Sequence, residues 1–229
     1  VTPAVASFCG AAVNLQASMA NPPQIDPTAS PDQVKATVQA YGAQVEPLLA
    51  KFQQTATDPA RADVTSIVQR TRAAFAAGDL TTLNTADFNN AQANLNRYML
   101  GNCGYPQISV TASDNRYQGL PATVAAGNTA FMLSNVGTDV HELQLARVAV
   151  GDTETLDQLL SLTGQQYAQK ITLIGDATAD PGQITAVFAA LTPGRYVVAD
   201  FVPQGTKPGT DGTGPQHYLL GMKGEFTVQ

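Results

Sequence analysis

The chain has 229 residues, 44% of them hydrophobic and only 13% charged, with a formal net charge of −6. That length and apolar content predict two folded domains rather than a disordered chain. Residues 1–103 carry six Lys/Arg against seven Asp/Glu, and residues 104–229 carry six against eleven. Neither half has the basic stripe that nucleic acid or an anionic membrane surface requires, and no run of about 18 apolar residues offers a membrane span.

The opening "VTPAVASF" shows no signal peptide. The weakly charged, Ala/Thr/Gln/Asn-rich composition nevertheless suggests a secreted or otherwise extracytoplasmic protein, anchored, if at all, through a segment outside this chain. From there to about residue 103 the apolar residues recur at helical spacing. Val5, Cys9, Ala12 and Met19 form a first stripe before "NPPQIDP" breaks it. Ser30, Pro31 and Gln33 make a capping box that opens a second helix. Its stripe runs through Val34, Val38, Tyr41, Val45, Leu48, Leu49 and Phe52, and Pro47 predicts a kink in it. Asp58 and Pro59 read as the cap of a third helix, lined by Val64, Ile67, Val68 and Phe75 and stopped by Gly78. Leu83, Phe88, Ala91, Leu95 and Tyr98 line a fourth, ending at Gly101. Four amphipathic helices with short links predict an up-down-up-down bundle over residues 1–103.

In that topology Cys9 and Cys103 lie at the same end of the bundle. A disulfide between them would close a loop of roughly 95 residues and contribute about 4–5 kcal/mol in the chain-entropy model. It would also place the protein in an oxidising compartment. The alternatives are two reduced thiols or a redox pair, and no C-x-x-C motif supports the latter.

After residue 103 the period changes. "QISVTASD", "TAFMLSNVG", "HELQLARVAV", "QITAVFAAL", "RYVVADFV" and "GEFTV" are short, β-branched segments bounded by Gly, Pro and Asn. They predict an antiparallel β-sandwich over residues 104–229. "DTETLDQLLSLTGQ" reads as a short helical insert, and "PQGTKPGTDGTGPQ" as a long loop, functional or mobile, that ends at His217. The fold class is α+β in separate domains. No G-x-S-x-G supports a hydrolase at Ser134 or Ser161, and there is no phosphate-binding glycine loop, so no enzyme is expected.

Over residues 107–228 the second half resembles a cupredoxin-like (plastocyanin-like) domain. "VAAGNTAFMLSNVGTDVHE" is similar to that family's glycine turn, strand, Asn-x-Gly and first copper histidine, with Asn135, Gly137 and His141 in those places. "LTPGRYVVADF" resembles the strand that carries the copper cysteine, and "HYLLGM" resembles the second histidine and axial methionine, here His217 and Met222. The two-part layout resembles that of exported actinobacterial proteins of unassigned function.

One position departs from the family: Asp200 stands in the cysteine slot. A blue-copper centre needs two imidazoles and a thiolate with a weak axial ligand, so the family's electron-transfer chemistry does not carry over. The resemblance, so altered, implies a metal site of His141, Asp200, His217 and Met222, pale and type-2-like. Imidazole and carboxylate suit copper(II) first by affinity order, and zinc next; imidazole with thioether suits copper(I). The competing expectation is a metal-free scaffold that presents its loop and helices to a partner protein at the cell envelope. Met222 then packs in the core, and Asp200 bonds backbone amides or pairs with Arg195 or Lys223. Asp139 and Glu142, on either side of His141, read as solvated charge, with Glu142 alternatively supporting a ligand.

Overall fold

A computed structural model describes residues 1–229 and divides them into two units, Val1–Gly104 and Tyr105–Gln229. In the first, local chemistry sets the helix boundaries. Thr2 Oγ1 accepts from Val5 N ahead of α1 (Pro3–Met19), and Ser30 and Gln33 close a capping box ahead of α2 (Pro31–Thr55). Helix α2 runs on through Pro47. The carbonyl that loses its partner belongs to Ala43, and both residues face solvent. Asp58 is not a cap: it lies in a 3₁₀ turn, Asp58–Ala60, that leads into α3 (Arg61–Ala77). Gly78 ends α3 in the left-handed conformation, φ 73°. Leu83 falls in a second 3₁₀ turn, and α4 spans Ala86–Asn102 behind a Thr85 cap.

Successive helices pack in chain order, α1 on α2, α2 on α3 and α3 on α4. Phe8 stacks on Phe52 and Tyr41 meets Phe75 edge-on, with ring centroids 5.6 and 5.5 Å apart. Gly42 allows the second approach, since a Cβ there would stand 2.6 Å from the Phe75 side chain. Cys9 and Cys103 form a disulfide between α1 and the end of α4, with Cα atoms 5.8 Å apart.

The second unit is a β-sandwich of two sheets. One has the order β2 (Arg116–Gln118), β1 (Gln107–Ser113), β4 (Gly127–Asn135), β7 (Ile184–Leu191). The other has the order β3 (Thr123–Val124), β9 (Lys223–Val228), β8 (Gly194–Ala199), β5 (His141–Val148), β6 (Ile171–Ala179). Most ladders are antiparallel, while β1/β4 and β3/β9 are parallel. Alternate residues such as Phe131, Leu133, Leu143, Leu145, Val198 and Phe226 face inward to one core. The insert between β5 and β6 is two helices, α5 (Leu156–Leu160) and α6 (Gly164–Lys170), where one was expected. Leu159 packs with Ala146, Val148, Ile171 and Val197 in a smaller core.

β5 pairs antiparallel with β8, and β8 with β9. The start of β5, the end of β8 and the approach to β9 therefore lie at one end of the sandwich, where β4 also ends.

Candidate metal centre

His141 is the first residue of β5, and Asp200 follows β8 directly. His217 opens a 3₁₀ turn, His217–Leu220, and Met222 precedes β9. Main-chain hydrogen bonds lock these segments together. Asp200 N donates to Met222 O at 3.0 Å, Tyr218 N to Asp200 O at 2.8 Å, and Met222 N to His217 O at 3.1 Å. The backbone thus holds Asp200, His217 and Met222 in register, and only side-chain torsions remain to be set.

Those torsions bring three residues together. One ligand atom from each of His141, Asp200 and His217 lies within 4.8 Å of the others. Asp200 Oδ2 is 2.9 Å from His141 Nδ1 and 3.4 Å from His217 Nδ1. The two imidazole centroids are 4.5 Å apart. All three residues are at most 1% exposed. Met222 is wholly buried too, within the main sandwich core beside residues such as Leu143 and Phe226.

The polar surroundings depart from the sequence expectation. Asp200 does not pair with Arg195 or Lys223, which bind Glu225 and Asp157 instead; its Oδ1 accepts from Val202 N at 2.9 Å. Asp139 is not solvated charge. It is buried, and accepts from Gly205 N at 2.6 Å and from Lys207 Nζ at 2.8 Å. Burial pushes its carboxyl up, but the hydrogen bonds from Lys207 and Gly205, the Lys207 charge and the His217 contact hold it at about 2. Glu142 is partly buried. Its desolvation, with the charges of Asp176 and Asp200 beside it, pushes its carboxyl up to about 7 against the opposing Phe201 amide.

Two carboxylates that sequence reasoning did not assign to the site meet its histidines from outside. Asp114 Oδ1 is 3.5 Å from His141 Nε2, and Asp139 Oδ2 is 3.4 Å from His217 Nε2. Asp114 is held below the usual carboxylate range, first by the hydrogen bond from Thr138 N. Asn135 fixes the intervening turn: its Nδ2 donates to Asp139 O and Ala179 O, and its Oδ1 accepts from Gly137 N.

The 203–216 loop folds against this turn. Val140 N donates to Thr206 O, Lys207 Nζ reaches Thr138 O, and Gln204 bonds Pro215 and Gly214 across the loop. Among the described residues, buried His217 Nδ1 and His141 Nε2 have no hydrogen-bond partner. Leaving such an atom unpaired costs about 1–3 kcal/mol. Donor atoms that share one metal ion at about 2 Å stand about 3–3.5 Å apart; the two separations about Asp200 Oδ2, 2.9 and 3.4 Å, are close to that range, and the three ligand atoms together lie within 4.8 Å.

No family model and no curated protein matches the chain. Several solved structures do, each over about half of it. Auracyanin from Roseiflexus castenholzii, reduced with dithionite, is 16% identical over 54% of this chain and 96% of its own, with a TM-score of 0.36. Auracyanin A, a blue copper protein from Chloroflexus aurantiacus, is 17% identical over 55% and 100%, with a TM-score of 0.35. Rusticyanin from Thiobacillus ferrooxidans is 11% identical over 54% and 77%, with a TM-score of 0.34. The chain is a helical unit followed by a two-sheet β-sandwich, and the solved structures similar to it are blue copper proteins and multicopper oxidases among others.

Proposed function

We propose that the β-sandwich binds one copper(II) ion through His141, Asp200 and His217, as a pale centre without thiolate, and that the protein handles copper outside the cytoplasm. The observation that carries this reading is the convergence of two imidazole nitrogens on one carboxylate oxygen, with His217 Nδ1 buried and otherwise unpaired. Copper(II) would supply the positive charge that these converging acceptors lack. Imidazole and carboxylate oxygen suit it, and neither cysteine is available, since both are in the disulfide. Met222, bonded through its backbone to Asp200 and His217, is the axial candidate.

The residues do the binding and the shielding. Asp200 offers a carboxylate oxygen and His141 and His217 offer imidazole nitrogens, all shielded from solvent, and the 203–216 loop is bonded to the adjoining turn at Thr138, Asp139 and Val140. Full burial of all three ligands leaves little open face for a substrate, which supports binding over catalysis. An extracytoplasmic setting is supported by the disulfide, and among the described residues no helix is long and apolar enough to cross a membrane.

The competing reading is a metal-free module that binds a partner at the cell envelope. The 2.9 Å contact of His141 Nδ1 with Asp200 favours it, because that hydrogen bond satisfies both atoms without an ion. Titration with copper(II), desalting and electron paramagnetic resonance separate the two. One retained equivalent with nitrogen hyperfine structure, lost in a His141→Ala/His217→Ala double variant, is the expected result. Copper that washes out, or that the double variant retains equally, overturns the copper reading.

A further inference from the structure

Each imidazole of the centre has a carboxylate at both ring nitrogens. His141 lies between Asp200 Oδ2, 2.9 Å from Nδ1, and Asp114 Oδ1, 3.5 Å from Nε2. His217 lies between the same Asp200 oxygen, 3.4 Å from Nδ1, and Asp139 Oδ2, 3.4 Å from Nε2. Both outer carboxylates are anchored independently of the rings. Asp114 accepts from Thr138 N and Oγ1 at 2.9 and 3.4 Å, and Asp139 accepts from Gly205 N and Lys207 Nζ. The Asp114 contact is closely fitted as well: a Cβ on Gly137 would fall 2.5 Å from Asp114 Oδ1 and 2.7 Å from His141 Nε2.

We propose, resting on the copper reading above, that Asp114 and Asp139 are the positioning carboxylates of the centre. Each accepts Nε2–H from one histidine and so turns that histidine's Nδ1 lone pair toward Asp200. A neutral imidazole has one N–H and one lone pair, whereas an ionised carboxylate only accepts. With the proton on Nε2 of both rings, two nitrogen lone pairs and a carboxylate oxygen meet with no hydrogen among them, which is a site for a cation. With the proton on Nδ1 of His141, its Nε2 lone pair would oppose Asp114, acceptor against acceptor. The outer contacts of 3.4 and 3.5 Å are longer than a settled hydrogen bond, so the occupant between the Nδ1 atoms decides which arrangement holds. Carboxylates that orient metal-bound histidines typically contribute 10–100-fold to affinity.

The test uses Asp114→Asn and Asp139→Asn variants of the full chain loaded with copper(II). Pulsed electron paramagnetic resonance reads the remote nitrogen of each bound imidazole, whose quadrupole frequencies follow the hydrogen bond at Nε2. The expected result is an altered remote-nitrogen pattern in each variant, with affinity lowered by about 10–100-fold. Affinity within twofold of wild type overturns the inference. So does lowered affinity with unchanged remote-nitrogen frequencies, which marks a merely structural role. A second measurement needs no variant: long-range proton–nitrogen correlation spectra of the zinc(II)-loaded wild type. Zinc-bound Nδ1 and protonated Nε2 on both rings support the inference, and the opposite tautomer on either ring overturns it. If wild type retains neither metal, the copper reading has failed, and this inference falls with it.

Discussion

Gly137 shows how narrowly the centre is built at the level of single atoms. Its missing side chain is the space in which Asp114 and His141 meet. Gly137→Ala must push Asp114 or the imidazole aside, because backbone on the β4–β5 turn is tied down through Asn135 and has little slack. Overpacking of this kind costs about 1–3 kcal/mol. The expected outcome is a lower urea midpoint with unchanged slope, together with weaker retention of copper(II) after desalting. A variant as stable as wild type that retains copper equally would show that the turn yields and that the contact is loose. The need for glycine here was visible in the sequence only as part of an Asn-x-Gly resemblance. Its physical reason was not, since it depends on Asp114 arriving from 23 positions earlier. Asp139 was misread for a related reason. A carboxylate in a turn usually faces water, and only a lysine and an amide from the 203–216 loop, about 66 positions on, bury it.

Among the elements, the β5–β6 pair explains both a missed strand and a dependence on pH. The ladder slips between Leu145 and Ala146, where Gly175 sits opposite with φ 159°. That bulge breaks the two-residue alternation in "ITLIGDATA" and hid β6 from the sequence. Helix α6 was missed because nothing in "GQQYAQK" supplies an apolar stripe. Helix α2 was legible because its capping box is local.

The outer face of the same ladder carries Glu142 and Asp176 as diagonal neighbours, with Glu142 opposite Thr178 and Gln144 opposite Asp176. In the folded protein Glu142 titrates near 7 rather than its ordinary 4.5. Folding therefore favours the protonated acid. Its contribution is complete below about 4.5, declines as pH rises and is gone above about 7, a span worth about 3 kcal/mol at most. Asp139 acts in the opposite sense. With a folded value of about 2, its contribution is present at neutral pH and is lost as pH falls toward that value. Urea melts of chelator-treated protein from pH 4 to 8 should show Glu142→Gln gaining on wild type as pH rises, with the gap level above about 7. A gap that does not change with pH would remove Glu142 as the cause.

At the scale of the whole molecule, the two units use different means of holding together. The sandwich closes a continuous core between two sheets, and its candidate centre is fixed by backbone hydrogen bonds among residues 200–222. The helical unit has shorter-range contacts, each helix packing chiefly on its neighbour in sequence, and its two ends are joined covalently through Cys9 and Cys103, 94 positions apart. A cross-link over that span restricts the unfolded helical segment by about 4–5 kcal/mol and leaves the unfolded sandwich segment unrestricted. Both cysteines are buried, so alanine at each position leaves only a small void.

A Cys9→Ala/Cys103→Ala variant should therefore lose about 3–5 kcal/mol in the helical unit. Calorimetry should show this as a lowered transition of the helical unit, while the sandwich melts as before. If copper(II) binds as proposed at His141, Asp200 and His217, its resonance spectrum should be unchanged. An altered spectrum would mean that helical order reaches His141, Asp200 and His217, whereas a single transition that moves as a whole would mean that the two units unfold together.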